Sequence, residues 1–247
     1  MISIICVYND KEILDNFLLK SLKSQSANHQ IILMDNTNGQ FKSAAEALNK
    51  GAKKANGDYL MFVHQDIDLK SIEWLKDTEI MLNSIDNLGI TGVAGASPWD
   101  EDNMISNIQQ GIPPQNISKN KIESPELVQT VDECLFIIPT SVFKTLKFDE
   151  KVSNDWHLYA VDYCLSVKSK GYDVYVFPAD IYHRSPGYSI SENYFTTLKK
   201  LLKKHEKNYK VIFTTMGGWT PVYPLYIQKS RPLLKKKSLR ILEKLYK

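Results

Sequence analysis

Four side chains able to hold a cation or a phosphate stand in one short stretch: His64, Gln65, Asp66 and Asp68. Two carboxylates one residue apart repel each other unless something cationic lies between them. A divalent metal carrying a diphosphate meets that need. The element that must position them comes immediately before. Tyr59 to Val63 is aromatic, apolar and β-branched, which reads as a strand buried on both faces. Ligands of open α/β sheets bind at the carboxyl ends of the strands, so the four side chains stand where a ligand would. A second charged pair, Asp132 and Glu133, interrupts the apolar run from Val128 to Pro139. Charges inside a strand cost free energy unless they face a site; the alternative is a solvated strand edge.

Other elements can be placed around that strand. Ile2 to Val7 reads as a first strand, ended by turn and cap chemistry at Tyr8-Asn9-Asp10. A helix with Ile13, Phe17, Leu18 and Leu22 on one face follows. Gln30 to Met34 is a second strand, and a helix bearing Ala44, Leu48, Ala52 and Ala55 is stopped by Gly57. The order βαβαβ predicts a parallel sheet with right-handed crossovers. Further helices are predicted over 72–85, 141–146 and 189–206, with another built on Leu158, Val161, Leu165 and Lys168. Further strands are predicted over 89–94, 128–139 and 174–177. Residues 97–125, rich in proline and polar side chains, carry no periodicity and read as a long functional or mobile loop. No glycine-rich dinucleotide loop and no Walker lysine motif is present. A phosphate must therefore be held by other means, and a metal at the third strand would do it.

The 247 residues, 43% hydrophobic and 24% charged, suit one large α/β domain with or without a short appendage. The net charge of +3 is unevenly spread: residues 1–195 hold 17 Lys and Arg against 26 Asp and Glu, whereas residues 196–247 hold 14 against two. Cys6, Cys134 and Cys164 lie in apolar runs and read as small core residues in a reducing compartment, not as a disulfide framework. No secretory leader is expected, since the apolar run at Ile2 is too short, and no run approaches the roughly 18 apolar residues of a membrane span.

Taken together, Ser3-Ile4-Ile5-Cys6-Val7-Tyr8-Asn9, Ile32-Leu33-Met34-Asp35-Asn36, Asn49-Lys50-Gly51, Ala55-Asn56-Gly57-Asp58-Tyr59 and Phe148-Asp149-Glu150, with the carboxylate-bearing helix ending in Lys170-Gly171-Tyr172, resemble family 2 glycosyltransferases over roughly residues 2–185. The resemblance implies a GT-A fold, a Rossmann-like mixed, mostly parallel sheet flanked by helices. It implies a glycosyltransferase domain over 1–190, with a nucleotide half (1–95) and an acceptor and catalytic half (96–190), followed by a basic extension over 191–247. It implies inverting, metal-dependent transfer from a nucleoside-diphosphate sugar, a UDP-sugar foremost, to a glycan or lipid-linked acceptor, in bacterial surface polysaccharide or glycoconjugate assembly. Residue by residue, Tyr8 and Asn9 fall beside the nucleotide base, Asp35 meets the base or ribose, and Asn49 belongs to the donor side. The metal motif falls on His64-Gln65-Asp66, in which His64 replaces the first aspartate and Asp66 takes the metal-binding position, His64 and Gln65 being expected to contact the nucleotide-sugar; Asp66-Ile67-Asp68, with Asp68 as a ligand, is the competing frame. His183 resembles the histidine that completes the metal site in some members, and oxygen with imidazole ligands fits Mn2+ at least as well as Mg2+. Asp162 matches the catalytic base. Asp132 and Glu133 would orient the donor sugar. Trp156 and His157 would stack on or bond to the acceptor sugar, core packing being the alternative. Leu48 stands where the family often has arginine.

The tail is basic and amphipathic over 198–204 and 233–246, with Leu239, Leu242 and Tyr246 on one face, Ile241 and Leu245 beside it, and an aromatic, proline-rich run over 219–226 between the two segments. Such a pattern suits an anionic membrane surface, which would put a cytoplasmic protein at the inner face of the cell membrane. A solvated tail or a contact between copies of the chain are the alternatives. Nucleic acid is not an expected partner, as no recognised module accompanies the charge. Two competing functions remain at this level: a sugar nucleotidyltransferase, which would show a basic glycine-rich loop after the first strand, and a non-catalytic nucleotide-sugar-binding relative, suggested by His64 in an aspartate position.

Overall fold

The computed structural model describes residues 1–97, 104–119, 121–187, 191–230, 235, 237–239 and 241–242. Strands β1 (Ile2–Tyr8), β2 (His29–Asp35) and β3 (Tyr59–Val63) pair in parallel with β1 in the middle, as the βαβαβ order predicts. The first crossover comprises α1 (Lys11–Leu14), a π turn over Asp15–Leu19 and α2 (Lys20–Lys23). Its buried spine is Leu14, Leu18 and Leu22, spaced four apart, with Ile13 and Phe17 half-buried at the border. The second crossover, α3 (Ala44–Ala52), is capped by the Ser43 hydroxyl, which accepts the Glu46 amide. At Gly57, in the turn into β3, a Cβ would lie 2.7 Å from the Met1 carbonyl oxygen and 2.8 Å from the Ser3 nitrogen, so no larger residue fits without moving backbone.

The alternation of β3 divides its side chains between two cores. Leu60 and Phe62 enter one, Met61 and Val63 the other. Phe62 meets Phe136, Phe143 and Phe148 with ring centroids 5.1–5.6 Å apart. This fixes β3 rigidly and sets the position of its carboxyl end.

The chain continues through β4 (Ile67–Asp68), α4 (Trp74–Ser84), β5 (Leu88–Gly92) and β6 (Ala94–Ala96). Residues 97–125, predicted as patternless, supply short strands among the described residues: β7 (Met104–Ser106), β8 (Gln109–Gln110) and β9 (Gln115–Asn116). Pro98 and its neighbours through residue 103 lie outside the described residues. The run 128–139, predicted as one strand, is split. After β10 (Glu126–Leu127) come β11 (Thr130–Val131) and β12 (Leu135–Pro139), and Asp132 and Glu133 occupy the gap between these two. Then follow α5 (Thr140–Thr145), α6 (Tyr159–Lys168), β13 (Asp173–Val176) and β14 (Tyr182–His183).

The central sheet runs β10-β13-β5-β12-β3-β1-β2, with β12 antiparallel to both neighbours and β10 antiparallel to β13. It is thus a mixed sheet flanked by helices, with three parallel and three antiparallel pairings where a mostly parallel one was expected, because β12 runs against both of its neighbours and β10 against β13. A smaller sheet, β4-β14-β8-β9, lies beyond the carboxyl end of β3, and a third joins β11, β6 and β7.

The described residues after 190 pack largely against this body. Helix α7 (Glu192–His205) lays Tyr194, Leu198, Leu201 and Leu202 on Leu158, Val161 and Leu165. A hairpin of β15 (Ile212–Thr214) and β16 (Gly217–Trp219) and the short α8 (Leu225–Ser230) follow. Thr130 donates its hydroxyl to the Phe213 carbonyl at 2.6 Å, and Gln129 its side-chain amide to the Val211 carbonyl at 3.0 Å. Trp219, predicted within an interfacial aromatic run, is buried with its ring against Tyr194 and Phe195. Leu239, predicted on a membrane-facing stripe, packs on Phe213 and Ala96 with Leu242 beside it; Leu245 and Tyr246 lie outside the described residues. Ile241 and Tyr226 are exposed. No helix among the described residues is long and apolar enough to cross a membrane. All three cysteines are free and buried.

Candidate active site

The end of β3 delivers His64 and Asp66 to one point, and β14 brings His183 to the same point by pairing with β4, His183 opposite Ile67. Potential ligand atoms of the three residues all lie within 4.8 Å of one another. Asp66 is held from two sides: its Oδ2 accepts the Ser185 amide at 2.9 Å and its carbonyl accepts the Arg184 amide at 3.1 Å. His183 Nε2 lies 3.4 Å from Asp66 Oδ1, yet is buried without a hydrogen-bond partner. Burial alone would raise the Asp66 carboxyl; the facing His183, the nearby His64 and the Ser185 amide outweigh it and hold the group down at about 2. Burial, and then His183, lower the His64 imidazole, favouring its neutral form. An orphaned buried imidazole nitrogen, a neutral imidazole and an ionised carboxylate are the donor set of a first-row divalent metal, so these residues fit one. Asp68, the second carboxylate of the competing frame, is outside the cluster. It caps a turn instead, its Oδ1 accepting the Lys70 amide at 2.8 Å.

A cavity of about 690 Å³ opens on the β1–β2 side of this cluster. Tyr8, Asn9, Asn36 and Thr37 line it, at the carboxyl ends of β1 and β2. Gln65 ties the two strand ends together: its Oε1 accepts the amides of Asn9 and Asp10, both at 3.0 Å, and its Nε2 donates to Asn9 Oδ1 at 2.8 Å. Asp35 stands exposed beside the cavity. Its carboxylate accepts the Thr37 amide and hydroxyl at 2.8 and 2.7 Å, and these bonds, with one from the Tyr8 hydroxyl, lower its pKa. Asn49 is misplaced by the sequence reading. It is buried, donates to the Phe148 carbonyl at 3.0 Å and to Glu150 Oε1 at 2.9 Å, and does not line the cavity; its role is to lock α3 to the segment before α6. Trp156, expected on the acceptor side, lines this first cavity, half against protein and half exposed.

A second cavity, of about 580 Å³, lies on the other side of His64 and His183. Its walls are largely apolar, with Ile108, Ile117, Leu158 and Met216 among them. Asp132 lines it with both carboxylate oxygens engaged: Oδ1 accepts the Cys134 amide at 3.0 Å and Oδ2 the Thr215 hydroxyl at 2.7 Å. His64, Glu133, His157 and Ser185 border both cavities. Burial, and then Asp132, push the Glu133 carboxyl up to about 8, against the backbone amides of Ala160, Leu158 and Tyr159 at the start of α6. The His157 ring stands edge-on to Tyr194 at 5.8 Å, with Nε2 3.5 Å from the Ser191 hydroxyl.

Asp162, expected to be the catalytic base, is on the far side of α6. It lines neither cavity, is 2% exposed, and places Oδ1 2.8 Å from His205 Nε2 and Oδ2 2.8 Å from Lys204 Nζ. Lys204 also reaches Asp149 at 3.0 Å. The carboxylate therefore pins α7 to α6 and lines neither cavity. Sequence reasoning missed Ser185, Thr215 and Gln110. Ser185 contributes an amide, which any residue type supplies; Thr215 comes from the hairpin, far along the chain. Gln110, whose Oε1 is 3.4 Å from His183 Nδ1, sits in a two-residue strand too short to show a period.

Residues 3–214 match a family described as a glycosyltransferase-like family, and the chain belongs to it. No curated protein matches the sequence. Among solved structures, the chain is similar to TarS of S. aureus (TM-score 0.55, 15% identity, 84% of this chain and 40% of that one). It is also similar to the mannosyltransferase PcManGT from Pyrobaculum calidifontis, solved with GDP-Man and Mn2+ (0.58, 13%, 85% and 65%). GalNAc-T7, solved with UDP, GalNAc and Mn2+, is a third (0.59, 15%, 83% and 47%). This chain spans less than two thirds of the length of each. At these identities the likeness establishes the fold, that of GT-A glycosyltransferases.

Proposed function

We propose that the protein transfers a sugar from a nucleoside-diphosphate sugar to an acceptor hydroxyl by single displacement, with inversion, and with a divalent metal at His64, Asp66 and His183. The observation that carries this reading is the convergence of those three side chains, one with an orphaned buried nitrogen, at the mouth of a cavity lined by Tyr8 and Thr37. In this reading the nucleoside lies in that cavity, with Tyr8 against the base and the Asp35–Thr37 turn near the ribose. A bound metal supplies charge stabilisation to the departing diphosphate. Imidazole ligands favour Mn2+; PcManGT and GalNAc-T7, both solved with Mn2+, support the choice. TarS in complex with UDP and with UDP-GlcNAc supports a UDP-sugar donor.

The acceptor occupies the second cavity. Its apolar walls suit the C–H face of a pyranose or a lipid-linked glycan, the kind of substrate used in surface glycan assembly. The sugar nucleotidyltransferase reading loses ground because no basic glycine-rich loop follows β1, where Gln65 instead fixes the backbone.

The test is thermal unfolding with UDP, GDP, CMP and dTDP, each with and without Mn2+. A ligand at about 100 times its Kd adds roughly 2.7 kcal/mol, a shift of several degrees. A Mn2+-dependent shift with one nucleotide supports the reading and names the donor's base. No shift with any of the four, on folded protein, refutes it.

A further inference from the structure

We propose that Glu133, and not the motif carboxylate Asp162, is the catalytic residue that removes the proton from the attacking acceptor hydroxyl. The proposal rests on the donor-site reading above. It starts from where the fold delivers the side chain. Asp132 and Glu133 fill the gap between β11 and β12, and the next residue, Cys134, accepts the His64 amide through its carbonyl at 2.9 Å. That bond fastens Glu133 beside the end of β3, where the metal-ligating cluster begins.

The two cavities meet at only a few side chains, and a base must stand where donor and acceptor meet. Four residues border both. His64 belongs to the metal cluster. Ser185 has no basic group, and its amide is bonded to Asp66. His157 is turned toward α7, its Nε2 facing Ser191 and its ring edge-on to Tyr194. Glu133 remains, and its Oε1 is enclosed with no hydrogen-bond partner. The neighbouring carboxylates are engaged: both oxygens of Asp132 are bonded, and so are both of Asp162, which lies outside the cavities. Leu158, in the left-handed region at φ 64°, turns the chain into α6 so that the first amides of the helix act on Glu133. Such a carboxylate is more basic than one in water; the helix amides only partly oppose the rise, so it becomes the ionised base as pH approaches about 8, which suits a general base working at neutral to mildly alkaline pH.

In the step, the acceptor oxygen bonds to the anomeric carbon while the bond from that carbon to the diphosphate oxygen breaks. The nucleoside diphosphate leaves with the electron pair. The acceptor proton passes to the Glu133 carboxylate. Water in the second cavity undergoes the same step as a slow donor hydrolysis.

The test uses the full chain and the donors UDP-GlcNAc, UDP-glucose and GDP-mannose, with Mn2+. Glu133→Gln keeps the shape and the amide-accepting oxygen. We expect it to keep the Mn2+-dependent thermal shift with the nucleoside diphosphate while lowering nucleoside-diphosphate release from the matching sugar donor by about 100-fold or more. In Glu133→Ala, sodium azide, a nucleophile that carries no proton to remove, should restore nucleoside-diphosphate release and yield the glycosyl azide. Asp162→Asn, assayed below its melting point, should stay within about threefold of wild type. Release by Glu133→Gln within threefold of wild type would overturn the proposal, as would loss of the nucleotide shift in that variant, since Glu133 would then serve binding or folding. A wild type that binds nucleotide with Mn2+ but releases none from any donor overturns it too, leaving the donor-site reading intact. A wild type with neither shift nor release removes both.

Discussion

Asp66 accepts the backbone amide of Ser185 at 2.9 Å across 119 residues of sequence. This bond, with the pairing of β4 and β14, carries His183 to the end of β3. Asp66→Asn keeps an oxygen for that amide but removes the charge. We expect it to fold and to lose Mn2+ affinity by at least tenfold, with the Mn2+-dependent nucleotide shift abolished. Titration calorimetry with Mn2+ alone measures the first, thermal unfolding the second. Chelation of the metal by EDTA should reproduce the second effect in the wild type and be reversed by added Mn2+.

Tyr8 lines the first cavity, where the nucleoside is proposed to lie, and bonds to Asp35 through its hydroxyl. Tyr8→Ala should weaken nucleotide binding by roughly 10- to 100-fold, the range expected for loss of one base–aromatic contact, and leave Mn2+ binding unchanged. Equal weakening of both would mean that Tyr8 supports the metal cluster and not the base.

Glu133 gives stability a pH dependence of known sign. Its pKa is about 8 in the folded chain, against 4.5 ordinarily. Between these values the folded state binds more protons than the unfolded one, so stability falls as pH rises from about 5 to about 8. Asp132 beside it, Tyr159 and Cys164 on α6 and Tyr194 on α7 feel the same charge, with His64 and His157 on the shared cavity wall. In metal-free protein Glu133→Gln should match the wild-type melting point near pH 4.5 and exceed it by a margin that grows up to pH 8. A constant margin across that range would show that Glu133 titrates as an ordinary surface carboxylate.

Asp162→Asn leaves Lys204 and His205 without their shared anion. The cost is about 2 kcal/mol, less than the roughly 3–5 of a fully enclosed pair because Lys204 is partly in water, and calorimetry should record a melting point lower by about 4–8 °C.

A chain ending at residue 190 should not unfold cooperatively, since Leu158, Val161 and Leu165 would lose α7 and Trp219 as packing partners. Circular dichroism on that fragment decides whether residues 191–247 are an appendage or part of the core.

Legibility in the sequence follows burial and distance. β3 was readable to the residue because it is buried on both faces, and a strand so placed is apolar throughout. β1, β2 and α3 were readable for related reasons. The stretch 104–131 was not, since strands of two or three residues carry no period. His64, Asp66 and Gln65 were legible because a strand end followed by polar side chains is a local signal. Asp162 and Asn49 misled for the opposite reason. Each is a polar residue satisfied by partners far away in sequence, His205 and Lys204 for one and Phe148 and Glu150 for the other. Nothing local distinguishes such a residue from one facing a substrate. Glu133 carried its signal as a charge inside an apolar run, but not the base role proposed for it, which depends on the helix that begins beside it.

On the proposed function, the hydrogen bond from Thr215 to Asp132 bears on how acceptors would be chosen. The wall of the second cavity that carries Thr215 and Met216 is a turn between two three-residue strands; the Thr215 hydroxyl joins its tip to Asp132, while Gln129 and Thr130 hold the strand before it. On that reading, selectivity for acceptors can drift by changes at the tip of that turn, while the first cavity, built where β1, β2 and β3 of the large sheet end, stays constrained. Evolutionary divergence in what receives the sugar should accumulate there, ahead of divergence in what donates it.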